Sequence, residues 1–250
     1  MKIYNSIKII ILILATHQLS ISQSAYEIVK KSEEILKGKT SKGRFKMTVI
    51  TPEYTRTMEM ESWWVENEKA LIVIKSPKRE AGNKTLKIKN ELWMYLRNTE
   101  TTIKIPPSMM LQSWNGSDFT NDDLVRESNL VEDYFLTLLG EDTIESNICW
   151  KVELRPKPTT AVVWGKILYW CRKKDFLPVK TYYFDEKEKL IRSLIYSDYK
   201  VLGGRLIPSK WIMLNHVKKG NRTEFEILDI QFDIKISDRI FSFQELEKGR

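Results

Sequence analysis

A mainly β domain of the α+β class, with an antiparallel sheet of about a dozen strands and a few helices, is the fold class that the sequence predicts. Most of the chain consists of short runs rich in β-branched and aromatic residues, with polar, Gly, Pro or Asn breaks between them. Several runs alternate apolar and polar residues with period two, which is typical of strands with one buried face. The short, regular spacing favours antiparallel hairpins over strand–helix–strand units.

The predicted strands form two groups, one on each side of a loop-like stretch at residues 106–129, which we call the central loop. Those before it are RFKMTVI, RTMEMESWWV, KALIVIK, KTLKIKN, LWMYL and TIKIP. Those after it are ICWKVEL, WGKILYWCRK, PVKTYYFD, LIRSLIYSDYKVL, IPSKWIML and TEFEILDIQFD. The run LVEDYFLTLLGED, residues 130–142, fits neither the strand period nor the helix period cleanly, and we interpret it as a strand.

Helical spacing is clear near the start of the chain. In AYEIVKKSEEILKG, Ile28, Ile35 and Leu36 fall at positions i, i+7 and i+8, and Gly38 follows as the expected C-cap. A second, short helix through DDLVRE is expected after Thr120 or Asn121, because acidic residues in the first turn complement the helix dipole.

The N-terminus resembles a cleavable signal peptide over residues 1–24. Lys2 and Lys8 precede an apolar run that is too short to span a bilayer, and small residues suit cleavage before Gln23 or Ala25. A membrane anchor is the alternative. Residues 25–250 contain no linker or composition break, so they are predicted to form one domain that is exported to the periplasm.

The charge pattern argues against nucleic acid as a partner. The formal net charge is +8, but the Lys and Glu residues are interleaved, as in KKSEEILKGK. A nucleic-acid footprint needs clustered positive charge. Transient contact with an anionic membrane surface remains consistent with the modest excess.

Two cysteines, Cys149 and Cys171, lie in neighbouring predicted strands. A hairpin centred near Thr160 would place them opposite each other and would also pair Trp150 with Trp170. A cross-strand disulfide and two separate thiols are both open interpretations in an oxidising compartment.

The residue inventory does not favour an enzyme or a cofactor. His216 is the one histidine after the predicted signal peptide, and the sequence has no CxxC, GxSxG, GxGxxG or Walker motif. Asp118, Asp122 and Asp123 are the candidate carboxylate cluster. Their spacing lacks the alternation of a calcium loop, so turn and cap roles are favoured over metal binding.

Apolar surface is abundant, with eight Trp, eight Met, nine Phe and ten Tyr. A sheet of more than eight strands curves widely enough to leave a cavity. Met is adaptable enough to line such a cavity around ligands of varied shape. Ordinary core packing is the alternative for the same residues.

The central segment LWMYLRNTETTIKIPPSMMLQSWNGSDFTNDDL resembles the LolA-like outer-membrane lipoprotein-sorting proteins, carriers of the LolA/LolB type. The similarity continues through LVEDYFLTLLGED, SDYKVLGGRLIPSKW and ISDRIFSFQELEK. It implies an unclosed antiparallel β-barrel of about 11–12 strands, with helices over its concave face and a cavity for acyl chains.

The resemblance assigns a covering role to the central loop. Met109, Met110, Leu111 and Trp114 are expected to close over the cavity, and Pro106 and Pro107 to stiffen the hinge. Strand alternation favours apolar faces for Phe45, Met47, Val49, Met58, Met60, Leu92, Met94 and Leu96. Alternation alone does not separate cavity lining from packing under the N-terminal helix.

The resemblance therefore implies a periplasmic carrier that binds lipoprotein or lipid acyl chains and receives them from an inner-membrane transporter or permease. A lipid-sensing regulatory module of the cell envelope is the alternative, because a domain of an anti-sigma-factor regulator has the same type of fold. An enzyme is the third hypothesis and the one that the residue inventory supports least.

Overall fold

A computed structural model describes residues 24–66, 68–126, 130–158, 160 and 162–248. The predicted signal peptide lies outside the described residues except for Ser24. The helices are α1 Ala25–Lys37, α2 Asn121–Arg126, α3 Leu130–Asp133 and α4 Phe243–Glu247. Short 3-10 turns occupy Pro107–Met109, Trp114–Gly116 and Asp238–Phe241. None of the described helices has the length and apolarity that a membrane span requires.

The strands before the central loop are β1 Thr40–Ile50, β2 Thr55–Val65, β3 Lys69–Ser76, β4 Lys84–Ile88, β5 Glu91–Leu96 and β6 Thr101–Lys104. Those after it are β7 Tyr134–Ile144, β8 Asn147–Pro156, β9 Lys166–Arg172, β10 Pro178–Phe184, β11 Leu190–Leu202, β12 Arg205–Asn215 and β13 Arg222–Phe232. The described residues thus contain thirteen strands instead of the predicted 11–12. The ambiguous run at residues 130–142 divides between α3 and β7, which explains why neither period fitted it.

All strands join one antiparallel sheet in the order β6-β5-β4-β3-β2-β1-β13-β12-β11-β10-β9-β8-β7. The edge strands β6 and β7 do not pair with each other, so the barrel is unclosed, as predicted. Strands β1 and β13, which are nearly 200 residues apart in the sequence, pair at the centre of the sheet. The chain therefore completes the middle of its sheet with its last strand.

Strand alternation directs the apolar side chains as predicted in β1 and β2. Phe45 and Met47 are buried and lie opposite Met60 and Met58 across the β1–β2 ladder. The intervening residues, such as Lys46, point to the other face of the sheet. Each such buried side chain contributes roughly 1.5–3 kcal/mol of transfer free energy. One face of the sheet is therefore apolar over its centre.

Helix α1, which the apolar periodicity predicted, packs across this concave face, as the resemblance implied. Ser24 caps it through a reciprocal pair of hydrogen bonds with Glu27. Ile28 is fully buried against the sheet, and the Ser32 hydroxyl bonds the buried Tyr169 hydroxyl of β9 at 2.6 Å. Gly38 ends the helix at φ 60°, and a Cβ there would lie 2.9 Å from Asp233 Oδ1, so this C-cap requires glycine.

The C-terminal segment covers part of the opposite, convex face. Phe241 and Leu246 are buried there against Leu71, Leu86 and Tyr95 of strands β3 to β5. The Ser242 hydroxyl caps α4 by accepting a hydrogen bond from the Glu245 N–H at 3.1 Å. The apolar outer residues of this half of the sheet are therefore also removed from water.

The predicted pairing of Cys149 with Cys171 is wrong by one residue. Strand β8 pairs Trp150 with Cys171 and Cys149 with Arg172. Because successive strand residues face opposite sides of a sheet, the two thiols lie on different faces and are both free. Cys171 packs under α1 with Tyr169, whereas Cys149 packs on the other face with Trp170. A disulfide would require a register shift that exposes these side chains.

We expect the folded protein to keep two buried free thiols. Denaturation without reductant followed by iodoacetamide treatment should add two carbamidomethyl groups, as measured by intact mass. The native protein should react far more slowly, because both cysteines have no exposed surface and burial raises the pKa of the Cys171 thiol. Alkylation that requires prior reduction would contradict the register of β8 and β9.

Candidate functional site

A cavity of about 210 Å³ lies between the concave face of the sheet and the elements that cover it. Its floor consists mainly of apolar side chains from β1, β2, β3, β12 and β13, namely Phe45, Met60, Ile72, Trp211, Phe225 and Ile227. At the roughly 30 Å³ that one water molecule occupies in the liquid, this volume corresponds to about seven water-sized groups. Apolar side chains of this kind favour contact with hydrocarbon over contact with water.

Several separate segments cover the cavity. Helix α1 contributes Leu36, the central loop contributes Trp114 and Phe119, and the β8–β9 connection contributes Trp164. The one-turn helix α3 adds Leu130. The cover is thus an assembly of short pieces whose positions depend on contacts with the sheet.

Hydrogen bonds attach the Trp114–Gly116 turn of the central loop to the sheet. The Trp114 indole N–H donates to the Thr85 hydroxyl of β4 at 3.1 Å, and the indole is buried. The Arg56 guanidinium of β2 donates to the carbonyl of Asn115. Trp114 therefore provides both an apolar wall and a polar attachment.

The start of α2 has the predicted cap. The Thr120 hydroxyl accepts from the Asp123 N–H at 3.3 Å, and the Asp123 carboxylate accepts from the Thr120 N–H at 2.7 Å. This arrangement is a capping box with Asp in the third helical position. The expectation of a cap at Thr120 or Asn121 is met at Thr120.

Arg192 of β11 connects two of the covering segments. Its guanidinium makes a bidentate ion pair with Asp123, one bond of 2.7 Å, and donates to the Asp118 carbonyl at 3.1 Å. It also lies 4.4 Å from the ring centre of Trp164 and 4.7 Å from that of Tyr183. The central loop and the β8–β9 connection therefore meet on one buried cation.

Asp118 anchors the loop further along the sheet. Its carboxylate accepts from the Thr223 hydroxyl of β13 at 2.8 Å and from the Asn215 amide of β12 at 3.0 Å. Its N–H donates to the same Thr223 hydroxyl at 2.8 Å. Asp118 and Asp123 thus fasten the loop, and the described part of the chain contains no group of three or more His, Cys, Asp or Glu suited to a metal ion.

The predicted lining residues of β1 and β2 divide into two sets. Phe45 and Met60 line the cavity, as does Trp114 of the central loop. Met47, Val49 and Met58 are buried in the same apolar cluster without lining the cavity. Alternation predicts which face of the sheet a side chain points to, and all five strand residues point to the same face. Their position along the strand decides which of them line the cavity.

The remaining predicted lining and covering residues lie elsewhere. Leu92, Met94, Met109 and Met110 pack in a separate cluster with Ile105 and Val125. Leu111 is 58% exposed, and Leu96 is half-buried near the end of β5. Met109 and Met110 thus anchor the start of the loop against β5, and the cavity wall begins four residues later at Trp114.

The sequence predictions missed the lining residues of the second half of the sheet. Tyr183, Tyr196, Trp211 and Phe225 all line the cavity. Period-two alternation in PVKTYYFD and TEFEILDIQFD was the available signal, but no local feature distinguishes the concave face from the convex face there.

Glu33 is an acidic side chain within this apolar lining. It lies on α1, its side chain is 12% exposed, and its Oε1 is 3.5 Å from the Lys37 ammonium. Burial raises the pKa of the Glu33 carboxyl, and the Lys37 charge and the Leu130 N–H oppose this shift only in part. The helix thus holds a carboxylate that is costly to ionise.

We expect Glu33→Gln to stabilise the protein at neutral pH. A carboxyl with a raised folded-state pKa lowers stability as pH rises from its ordinary value of 4.5 through the folded value. The thermal midpoint of the variant should therefore exceed that of the parent at pH 7, and the gap should close as pH falls toward 4.5. Glu34→Gln, at the exposed neighbouring position, controls for loss of one charge. A gap independent of pH would contradict the effect of burial.

We expect Asp123→Asn to release the central loop. Removing one partner of a buried ion pair leaves an uncompensated charge, here Arg192, and should cost roughly 3 kcal/mol of unfolding free energy. Amide hydrogen exchange at residues 114–126 should accelerate more than exchange in β1. The matched control Glu91→Gln breaks the exposed pair with Lys104 and should cost at most about 1 kcal/mol. Equal losses of unfolding free energy in the two variants would contradict the role of the Arg192–Asp123 ion pair in holding the central loop.

Comparisons with known proteins agree with this architecture. A family model described as "Uncharacterized protein" matches residues 66–248, and a comparison with curated proteins found no match. The structure of a DUF1329 family protein from Desulfovibrio piger superposes with a TM-score of 0.82 at 20% identity, covering 89% of this chain and 97% of that chain.

Two further structures carry descriptive names. A putative outer membrane lipoprotein-sorting protein domain from Vibrio parahaemolyticus has a TM-score of 0.79 at 22% identity, with 90% of this chain and 100% of that chain covered. A LolA superfamily protein from Nitrosomonas europaea has a TM-score of 0.77 at 21% identity, with the same coverage. The chain has the LolA-like fold that the resemblance of its central segment predicted. Because the family model matches residues 66–248, which is more than half of the chain, the chain belongs to the family of that model.

Proposed function

We propose that this protein binds acyl chains of lipoproteins or other lipids in the cavity and carries them through an aqueous compartment toward the outer membrane. The observation that carries the proposal is an apolar cavity beneath a cover of short segments. The LolA-like fold supports it, because one structure of the same fold is described as a lipoprotein-sorting domain.

The energetics of transfer call for such a cavity. Each methylene that moves from water to an apolar site gains about 0.8 kcal/mol, so an exposed acyl chain does not cross water readily. Four tryptophans line the cavity, namely Trp64, Trp114, Trp164 and Trp211. Large aromatic side chains provide extensive contact area at low cost in conformational entropy. The role proposed for the lining is to replace water around the chain.

Release requires that the cover can separate from the sheet. In the proposed cycle, the sheet stays rigid while α2, α3 and the β8–β9 connection move. These segments are short, and Arg192 and Asp118 attach the central loop to the sheet through polar contacts, beside buried apolar residues such as Val125. Opening would expose both charges of the Arg192–Asp123 pair to water together, which avoids the cost of leaving one of them buried and unpaired.

The cellular setting is part of the proposal. We propose that residues 1–24 direct export and are removed, and that residues 25–250 act as one domain in the periplasm. An inner-membrane transporter or permease would load the cavity, and the excess of Lys and Arg would support transient contact with an anionic membrane surface. A binding role, without catalysis or nucleic acid, completes the proposal.

Filling the cavity should weaken ligand binding. Ile227 of β13 lines the cavity and is 6% exposed, whereas the next residue, Leu228, points to the other face and is 38% exposed. Ile227→Trp should weaken binding of a palmitoylated peptide at least about tenfold, because the indole occupies the space of the chain. Leu228→Trp is the matched control and should bind normally.

The measurement is native mass spectrometry after incubation with the peptide, with circular dichroism to verify folding of each variant. If Ile227→Trp fails to fold, Ile227→Phe provides a smaller obstruction and should give a graded loss. Unchanged binding by folded Ile227→Trp would overturn the cavity as the binding site. Absence of binding by the parent protein would overturn the carrier proposal.

A further inference from the structure

A hydroxyl group in the cavity wall has no hydrogen-bond partner. Thr181 of β10 lines the cavity and is 1% exposed. Its Oγ1 is buried and makes no hydrogen bond with any part of the chain that the structure describes. Such atoms are rare in folded proteins, because a buried hydroxyl has lost its hydrogen bonds to water. The Thr181 hydroxyl is therefore a candidate contact for a ligand in the cavity.

Two other hydroxyl groups of the cavity wall have partners. The Tyr169 hydroxyl, on the neighbouring strand β9, bonds the Ser32 hydroxyl of α1 at 2.6 Å. The Ser62 hydroxyl of β2 accepts a hydrogen bond from the Trp64 indole N–H at 3.0 Å. Thr181 differs from both of these groups, although all three lie in the same wall.

Among the described lining residues, one further buried side-chain atom lacks a hydrogen bond, namely Glu33 Oε1. The Lys37 ammonium lies 3.5 Å from this oxygen. The Glu33 carboxylate thus has an electrostatic partner within the protein. Thr181 carries the polar atom of the lining that a ligand would satisfy.

Strand geometry directs Thr181 to the cavity side of the sheet. Its neighbour Tyr182 packs against Trp170 on the convex face. Because successive side chains of a strand alternate between faces, Thr181 points to the concave face. Across the ladders it lies opposite Tyr169 of β9 and Leu194 of β11, which are both buried. The hydroxyl is therefore set among large side chains of the cavity wall.

Thr181 lies toward one end of the lining. The strand residues of the lining extend from β3, across the centre of the sheet, to β9 and to Tyr134 of β7. In this order β10 is close to the β7 end. Strands β1 to β3, at the far end, contribute the apolar side chains Phe45, Met60 and Ile72. An acyl chain has a similar distribution, because it carries one carbonyl at the end of a hydrocarbon.

We infer that the Thr181 hydroxyl donates a hydrogen bond to the carbonyl oxygen that joins the acyl chain of the ligand to its polar part. This inference rests on the proposed function and adds a specific contact to it. A carbonyl oxygen is a neutral acceptor, so it supplies the partner that Thr181 lacks without placing a charge in the apolar wall. The hydrocarbon then extends from Thr181 toward strands β1 to β3.

Two linkages carry such a carbonyl. One is the ester of a glycerolipid, and the other is the amide of an N-acylated peptide. Both present the same oxygen to a donor, and the amide adds an N–H group. The experiment therefore compares an ester and an amide with an ether that has no carbonyl.

The test uses methyl octanoate, N-methyloctanamide and octyl methyl ether, whose short tails suit the volume of the cavity. Binding is followed by the intrinsic fluorescence of the lining tryptophans. An apolar site without a donor prefers the ether, because a carbonyl loses hydrogen bonds to water on entry. We expect the parent protein to bind the tighter carbonyl probe about fivefold more tightly than the ether. The tighter carbonyl probe identifies the linkage, and equal affinity of the two assigns recognition to the oxygen alone.

Thr181→Val keeps the shape of the side chain and removes the hydroxyl. It should abolish the preference for a carbonyl probe and leave binding of the ether unchanged. It should also raise the thermal midpoint of the free protein, because an unpaired buried hydroxyl is lost. Thr181→Ser is the matched control, since it retains the hydroxyl and should retain the preference.

Equal or tighter binding of the ether by the parent protein would overturn the inference and leave the carrier proposal standing, as would a preference that Thr181→Val leaves unchanged. Binding of the palmitoylated peptide without binding of any short probe would have the same consequence. A lower thermal midpoint of Thr181→Val would show that the hydroxyl has a partner within the protein, and it would also overturn the inference alone. Absence of binding by the peptide and by every short probe would overturn both.

Discussion

The concave face of the sheet is broader than the segments that cover it, and this mismatch shapes the rest of the molecule. The sheet of thirteen strands presents large apolar side chains inward over most of its width, while one helix of 13 residues, two short helices and two loops lie over them. Close packing would require a thicker layer, such as a bundle of helices. The uncovered centre of the face becomes the cavity, and its walls are the same residues that build the core.

A buried cation holds the cover in place. Arg192 is 3% exposed and meets a carboxylate, a backbone carbonyl and two aromatic faces. Burial of a guanidinium is unfavourable unless its charge and donors are satisfied. The central loop supplies the carboxylate and the carbonyl, and the β8–β9 connection supplies the ring of Trp164. The positions of the two segments over the cavity therefore depend on each other. The same interaction gives Asp123 of the central loop a structural role.

The sequence by itself determined the faces of the strands, the helix α1 with its Gly38 terminus, the Thr120 cap and the open antiparallel sheet. These features follow from local spacing and from the resemblance of the central segment. It did not determine register, because pairing of β8 with β9 depends on contacts across the whole sheet, and a shift of one residue moved Cys149 and Cys171 to opposite faces. Nor did it determine which apolar residues line the cavity, since Met47 and Phe45 share one pattern but only Phe45 lies beneath a gap in the cover. Only tertiary structure decides where packing is complete and where space remains.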